Sequence, residues 1–258
     1  MRFMKVAAAA AIFLAAVGGA EAKDWSKIRI GTEGAYPPFN NLTADGQLVG
    51  FDIDIANALC AQMKVECEFI TQDWDGMIPA LQAGKFDAVI ASMSITEERL
   101  EKVDFTNKYY NTGPAIAVPK DSDLTEATDA ALAGKLLGAQ SSTTHSNYAE
   151  AKFSSAELKL YPTPDEYKLD LGSGRIDAVI DDVVVLTDWL KSDDGACCKL
   201  LAALTPDPVI NGKGAGIAIR KDEPELKAML NDAIAAIRAD GTYDKIQSKY
   251  FDFDVYGG

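Results

Sequence analysis

The chain repeats itself, and the repeat limits what it can fold into. GKFDAVIAS, from Gly84 to Ser92, lies over GRIDAVIDD, from Gly174 to Asp182, with the same order of glycine, basic residue, apolar residue and Asp-Ala-Val-Ile. An aspartate, Asp75 or Asp165, stands nine residues before each glycine, so both comparisons share an offset of 90 residues. Each copy follows one grammar: a turn, a short helix, a glycine stop, a buried strand and a polar turn. Strands alternating with helices make parallel sheets with helices on both faces. The expected architecture is therefore α/β in two similar lobes.

Each half also opens on a strand and a polar, small-residue turn, KIRIGTEGAYPPF from Lys27 and KLLGAQSSTTHSNY from Lys135, here with a shifted spacing. FDIDIANALCAQM carries Phe51, Ile55, Leu59 and Met63 at helical spacing, and ELKAMLNDAIAAI carries Leu226, Met229, Leu230, Ala233, Ile234 and Ile237 likewise. These stripes are core-facing. Two passages read as crossings between lobes: YYNTGPAIAVPK around Gly113-Pro114, and the glycine-rich PDPVINGKGAGIAI. Two crossings make the first lobe discontinuous. The expected division is residues 23–110 with 215–258 for lobe 1, 114–205 for lobe 2, and hinge segments 111–113 and 206–214.

Residues 1–22 read as a cleavable signal peptide: MRFMK, an apolar run from Val6 to Val17, and Ala20-Glu21-Ala22. The expected product is exported, and no later run approaches the roughly 20 apolar residues of a membrane span. Acidic residues outnumber basic ones 39 to 25, a net charge of −14, which disfavours nucleic acid as a partner. Four cysteines in an exported chain favour disulfides over metal. Cys60 and Cys67 flank a helix end and the next strand and are expected to pair. The state of the adjacent Cys197 and Cys198 stays open, because pairing them closes a strained small ring.

The candidate site lies at the strand ends that the repeat makes equivalent, where open α/β sheets bind ligands. The turn Ala91-Ser92-Met93-Ser94 and the aspartate Asp182 would face each other across the cleft. Arg99 can offer a carboxylate a planar fork of donors, or pair at the surface with Glu97 or Glu101. Ser92 and Ser94 can supply hydroxyl or backbone donors, Ser94 and Thr96 can instead cap a helix, and Asp182 can hold an ammonium group or cap the helix before VVVL. Glu33, Tyr36 and Trp74 sit in turns, where aromatics can grip an apolar stem and Glu33 its cationic end. Alternatively, Trp74 is core and Glu33 caps a turn. Asp52 is a further acid or an N-cap. Gln140, Thr143, Thr144 and His145 lie where a helix begins, a place that favours anions. His145 is the single histidine, which argues against a metal site and makes it a rim residue. No dinucleotide, P-loop, zinc-protease or serine-hydrolase motif is present, so neither a cofactor nor chemistry is required.

Taken in order, RIGTEGAYPPF, GFDIDIANALC, DWDGMIPALQAGKFDAVIASMSITEER, GRIDAVIDD and DGTYDKIQSKYFDF resemble the periplasmic amino-acid-binding proteins of ABC importers. The branch most resembled is that for lysine, arginine, ornithine and histidine, with the opine-binding branch next. The resemblance implies a Venus-flytrap fold of type II, a two-strand hinge, a monomer in the periplasm of a Gram-negative cell and an inner-membrane permease as partner. It also implies a disulfide at Cys60 and Cys67. By the same resemblance Arg99, Ser92 and a Thr144 backbone group would take the ligand α-carboxylate, and Asp182 and Ser94 its α-ammonium. Tyr36 and Trp74 would sandwich the side chain, and Glu33 would meet its cationic tip. Two departures concern ligand length: Ala91 stands in place of a serine, and Glu33 in place of an aspartate. An exported dehydratase on the same scaffold is the enzymatic alternative, with His145 or Glu33 as general acid. A receptor's sensor domain would require a membrane helix.

Overall fold

The computed structural model describes Lys23 and residues 25–257; the expected signal peptide lies outside the described residues. The chain opens with strand β1 (Lys27–Thr32), followed by a small antiparallel sheet of β2 (Ala35–Tyr36), β3 (Asn40–Leu42) and β4 (Leu48–Val49). Helix α1 (Phe51–Met63) and β5 (Glu66–Thr71) come next. A 3-10 turn at Trp74–Gly76 leads into α2 (Met77–Gln82), β6 (Ala88–Val89), α3 (Glu97–Lys102) and β7 (Asp104–Tyr110). The chain then enters its second half with β8 (Pro114–Pro119), β9 (Leu136–Gln140), α4 (Thr144–Lys152) and β10 (Glu157–Tyr161). There follow α5 (Pro164–Gly172), β11 (Ala178–Asp182), α6 (Val183–Leu190) and β12 (Cys198–Ala203). It closes with β13 (Ala215–Ile219), α7 (Pro224–Ala239) and α8 (Thr242–Gln247).

Two five-stranded sheets result, in the orders β5-β1-β6-β13-β7 and β10-β9-β11-β8-β12. In each, the first three strands pair in parallel and the fourth is antiparallel to both its neighbours. The fourth strand is in each case the first one made after the chain crosses over, β8 on the way out and β13 on the way back. The molecule is thus two-lobed with mixed sheets, in each of which four of the five strands run the same way, and β6 and β11 occupy the same place in their sheets. Their Ala-Val-Ile residues are fully buried, as a strand covered on both faces requires.

The helical stripes pack as their spacing dictates. Phe51, Ile55 and Leu59 of α1 and Leu226, Leu230, Ala233, Ile234 and Ile237 of α7 share the first lobe's core, with Met63 and Met229 at its edge. Gly50 precedes α1 at φ 125°, and a Cβ there would stand 2.3 Å from the Phe39 carbonyl oxygen, so only glycine lets the helix start so close to that turn. Cys60 and Cys67 are bonded, tying the end of α1 to β5. Cys197 and Cys198, which the sequence left open, are bonded to each other at the start of β12.

Candidate functional site

The first lobe's wall is built on the turn after β6. Ser92 adopts φ 56°, so its backbone N–H meets the Tyr109 hydroxyl at 3.1 Å and its hydroxyl donates to Asp52 at 3.0 Å. Asp52 itself lies in the first turn of α1, fully buried, and also accepts from Asn40 and Tyr109, each at 2.8 Å. It is neither the helix cap, which is Gly50, nor a cleft residue; it holds Ser92 from behind. Burial raises its carboxyl to about 6, against the pull of those hydrogen bonds. Met93 packs with Met77, Leu81 and Phe105 in a core cluster and also borders the cavity beside Trp74 and Arg99. Thr96, not Ser94, caps α3 by accepting from the Arg99 N–H.

Among the described residues Arg99 forms no ion pair with Glu97 or Glu101. It is 8% exposed, and it donates to the carbonyls of Ser94 at 3.0 Å and of Ser142, in the second lobe, at 3.2 Å. Trp74 donates to the same Ser142 carbonyl at 3.1 Å, and its ring lies 5.3 Å from the guanidinium. Burial lowers the Arg99 guanidinium to about 10, still charged at neutral pH. Glu33 accepts from the Gln140 amide at 2.6 Å across the cleft. Desolvation raises its carboxyl to about 7, with the charges of Asp181, Asp73 and Asp165 adding and the Gln140 bond opposing.

From the second lobe, Thr143 caps α4 with a reciprocal Ser146 bond, which leaves Thr144 and His145 on the first turn beside the cleft. The structure brings together Glu33, Tyr36, Trp74, Ala91, Ser92, Ser94, Arg99, Gln140, Thr143, Thr144 and His145 around one narrow chamber, a cavity of about 30 Å³. Asp182 is not among them. It lines an adjoining chamber, also of about 30 Å³, that shares Tyr36, Ser92, Ser94, Thr144 and His145 with the first. Of the two roles considered for it, the cap is present, since its carboxylate accepts the Val184 N–H at the start of α6 as well as the Thr112 hydroxyl. Burial raises it to about 7.

Sequence reasoning missed the neighbouring Asp181, which is 3% exposed. It accepts the Tyr36 hydroxyl from the first lobe at 2.5 Å and the Tyr167 hydroxyl, and Nδ1 of His145 lies 3.2 Å away. The repeat sets Asp181 over Ala91, and that pairing of an acid with a cleft-lining alanine was the available signal.

Two α/β lobes of one strand order, closing on a cleft with a guanidinium on one wall and carboxylates on both, define a bilobal ligand-binding protein. The profile of the bacterial extracellular solute-binding proteins, family 3, matches residues 28–253, and the chain belongs to that family. It is 48% identical to the L-arginine-binding protein of Pseudomonas aeruginosa over 89% of this chain and 90% of that one. It is 42% identical to the histidine-binding periplasmic protein of Salmonella typhimurium, over 90% of each. A solved structure of an ancestral arginine-binding protein bound to glutamine aligns with a TM-score of 0.81 at 39% identity, covering 88% of this chain and 99% of that one.

Proposed function

We propose that this protein is the periplasmic receptor of an ABC importer for a basic L-amino acid, and that it delivers its ligand to a membrane permease as a monomer. The observation that carries the reading is the charge pattern of the cleft. One buried guanidinium, Arg99, is flanked by Asp182 in the adjoining chamber and by Glu33 beside Tyr36 and Trp74. An α-carboxylate on Arg99, an α-ammonium on Asp182 and a cationic tip at Glu33 use every charge once. Residues 111–113 and 206–214 serve as the hinge between lobe 1 (23–110 and 215–258) and lobe 2 (114–205), with export directed by residues 1–22. The names of the relatives, which are binding proteins for arginine and histidine, support this reading over an enzyme.

Closure is favoured because the ligand touches both lobes only when the cleft is shut. The test is a thermal-shift series with arginine, lysine, ornithine, histidine, glutamine and octopine, since a ligand of the folded state raises apparent stability with its concentration. Basic amino acids should shift the transition and glutamine much less. In Glu33→Gln, arginine should lose about 3 to 5 kcal/mol of binding, the scale for deleting one partner of a buried ion pair, while glutamine changes little. Silence across the whole set would retire the assignment. Turnover of prephenate or arogenate, followed by product absorbance, would replace it with the dehydratase reading.

A further inference from the structure

Asp181 sits at the end of β11 with no face open to either chamber, and both of its oxygens are occupied. Oδ1 accepts the Asp182 N–H at 2.7 Å, faces Nδ1 of His145 at 3.2 Å and accepts the Tyr36 hydroxyl at 2.5 Å; Oδ2 accepts the Tyr167 hydroxyl. Three of these partners belong to the second lobe, from α4, α5 and β11. They fix the carboxylate before the lobes meet. The fourth, Tyr36, comes from the first lobe and is the ring that faces the cleft. Its base stacks on Phe39, centroids 6.0 Å apart, so the ring is held from below by its own lobe.

We infer that Asp181 is a positioning residue that latches the closed cleft, by accepting the Tyr36 hydroxyl across the gap between lobes, and that this bond sets how long the ligand is retained. The other cross-cleft bonds cannot serve. Glu33 and Gln140 hold each other where a cationic tip would enter, and Arg99 and Trp74 share one carbonyl beside the chamber. Ser141 also donates to Asp75 across the gap, but that bond is exposed, where water competes for both partners. Tyr36 to Asp181 is the buried bond that ends on a group outside both chambers. The bond therefore persists around a bound ligand, whereas an open form that separates Tyr36 from β11 lacks it. A contact made only in the closed form slows dissociation and leaves encounter alone. Burial raises the Tyr36 and Tyr167 phenols well above their ordinary range, so both remain donors.

The inference rests on the reading of the cleft as an amino-acid site, and its test separates the two. Stopped-flow fluorescence would give the association and dissociation rates of L-arginine for the wild type, Tyr36→Phe, Tyr167→Phe, Asp181→Asn and the double variant Tyr36→Phe/Asp181→Asn. A hydrogen bond to a charged group predicts dissociation about tenfold faster or more in Tyr36→Phe, with association within about twofold of the wild type. Tyr167→Phe removes a donor within one lobe and should leave dissociation within about twofold while lowering Tm. Adding Tyr36→Phe to Asp181→Asn should change dissociation much less than it does in the wild type, a non-additivity that a purely structural role would not produce. The latch is overturned by an unchanged dissociation rate in Tyr36→Phe, by an equal acceleration in Tyr167→Phe, or by additive effects in the double variant. A wild type that binds no arginine overturns the ligand reading, and the retention role with it.

Discussion

At the residue scale, Glu33 is the position where charge, burial and ligand meet. Its carboxyl, ordinarily at 4.5, is raised to about 7 in the closed cleft, chiefly by desolvation. A raised folded-state pKa means that the folded protein binds the proton more tightly, so this group's contribution to stability falls as pH rises from 4.5 through about 7. A cation beside the carboxylate reverses the preference and expels the proton. Arginine binding near pH 7 should therefore release a proton, and affinity should rise between pH 6 and 8, by at most about tenfold per pH unit for one group. Calorimetry in buffers of different ionisation enthalpy counts the protons, and Glu33→Gln should release fewer than the wild type. An equal count in the two proteins would remove Glu33 from the head-group role. Asp182, also raised to about 7, accounts for any remainder. That Glu33 lies in the cleft was legible from the turn after the first strand. Its Gln140 partner was not, because the two are 107 residues apart and meet only when the lobes close.

At the scale of elements, α6 and β11 share one residue for two tasks. Asp182 ends the strand, caps the helix through the Val184 N–H and lines the cleft. Asn caps about as well as Asp, whereas Ala does not. Asp182→Asn should keep chemical-denaturation stability within about 0.5 kcal/mol and lose arginine affinity, whereas Asp182→Ala should lose both, with about 1 kcal/mol of stability gone. Affinity retained in Asp182→Asn would leave the residue as a cap only. The elements themselves were readable from periodicity and glycine stops. Asp52 was harder: an aspartate directly before an apolar helix fits a cap by pattern, yet Gly50 takes that place because only it fits against the Phe39 carbonyl. Met93, in the same turn as Ser92 and Ser94, packs mainly into the core while bordering the cavity beside Trp74 and Arg99.

At the scale of the whole molecule, the net charge of −14 adds a long-range field to the carboxylates of the cleft. Such a field speeds the encounter of cations and is screened by salt, over about 10 Å at 0.1 M. The association rate of arginine, followed through the fluorescence change expected from Trp74, should fall between 20 mM and 500 mM salt, while that of neutral glutamine stays nearly flat. Parallel falls for both would show that the field does not steer the ligand. The repeat, the alternation of strand with helix and the apolar stripes determined by themselves that there are two α/β lobes and which strand ends face each other, because these follow from local periodicity and from burying apolar faces. Only the tertiary structure decided what surrounds Asp181, what pairs with Arg99, and that Cys197 bonds Cys198. Those outcomes depend on distances between segments far apart in the chain, or on the angle at which a side chain leaves a turn, and no spacing along the sequence encodes either.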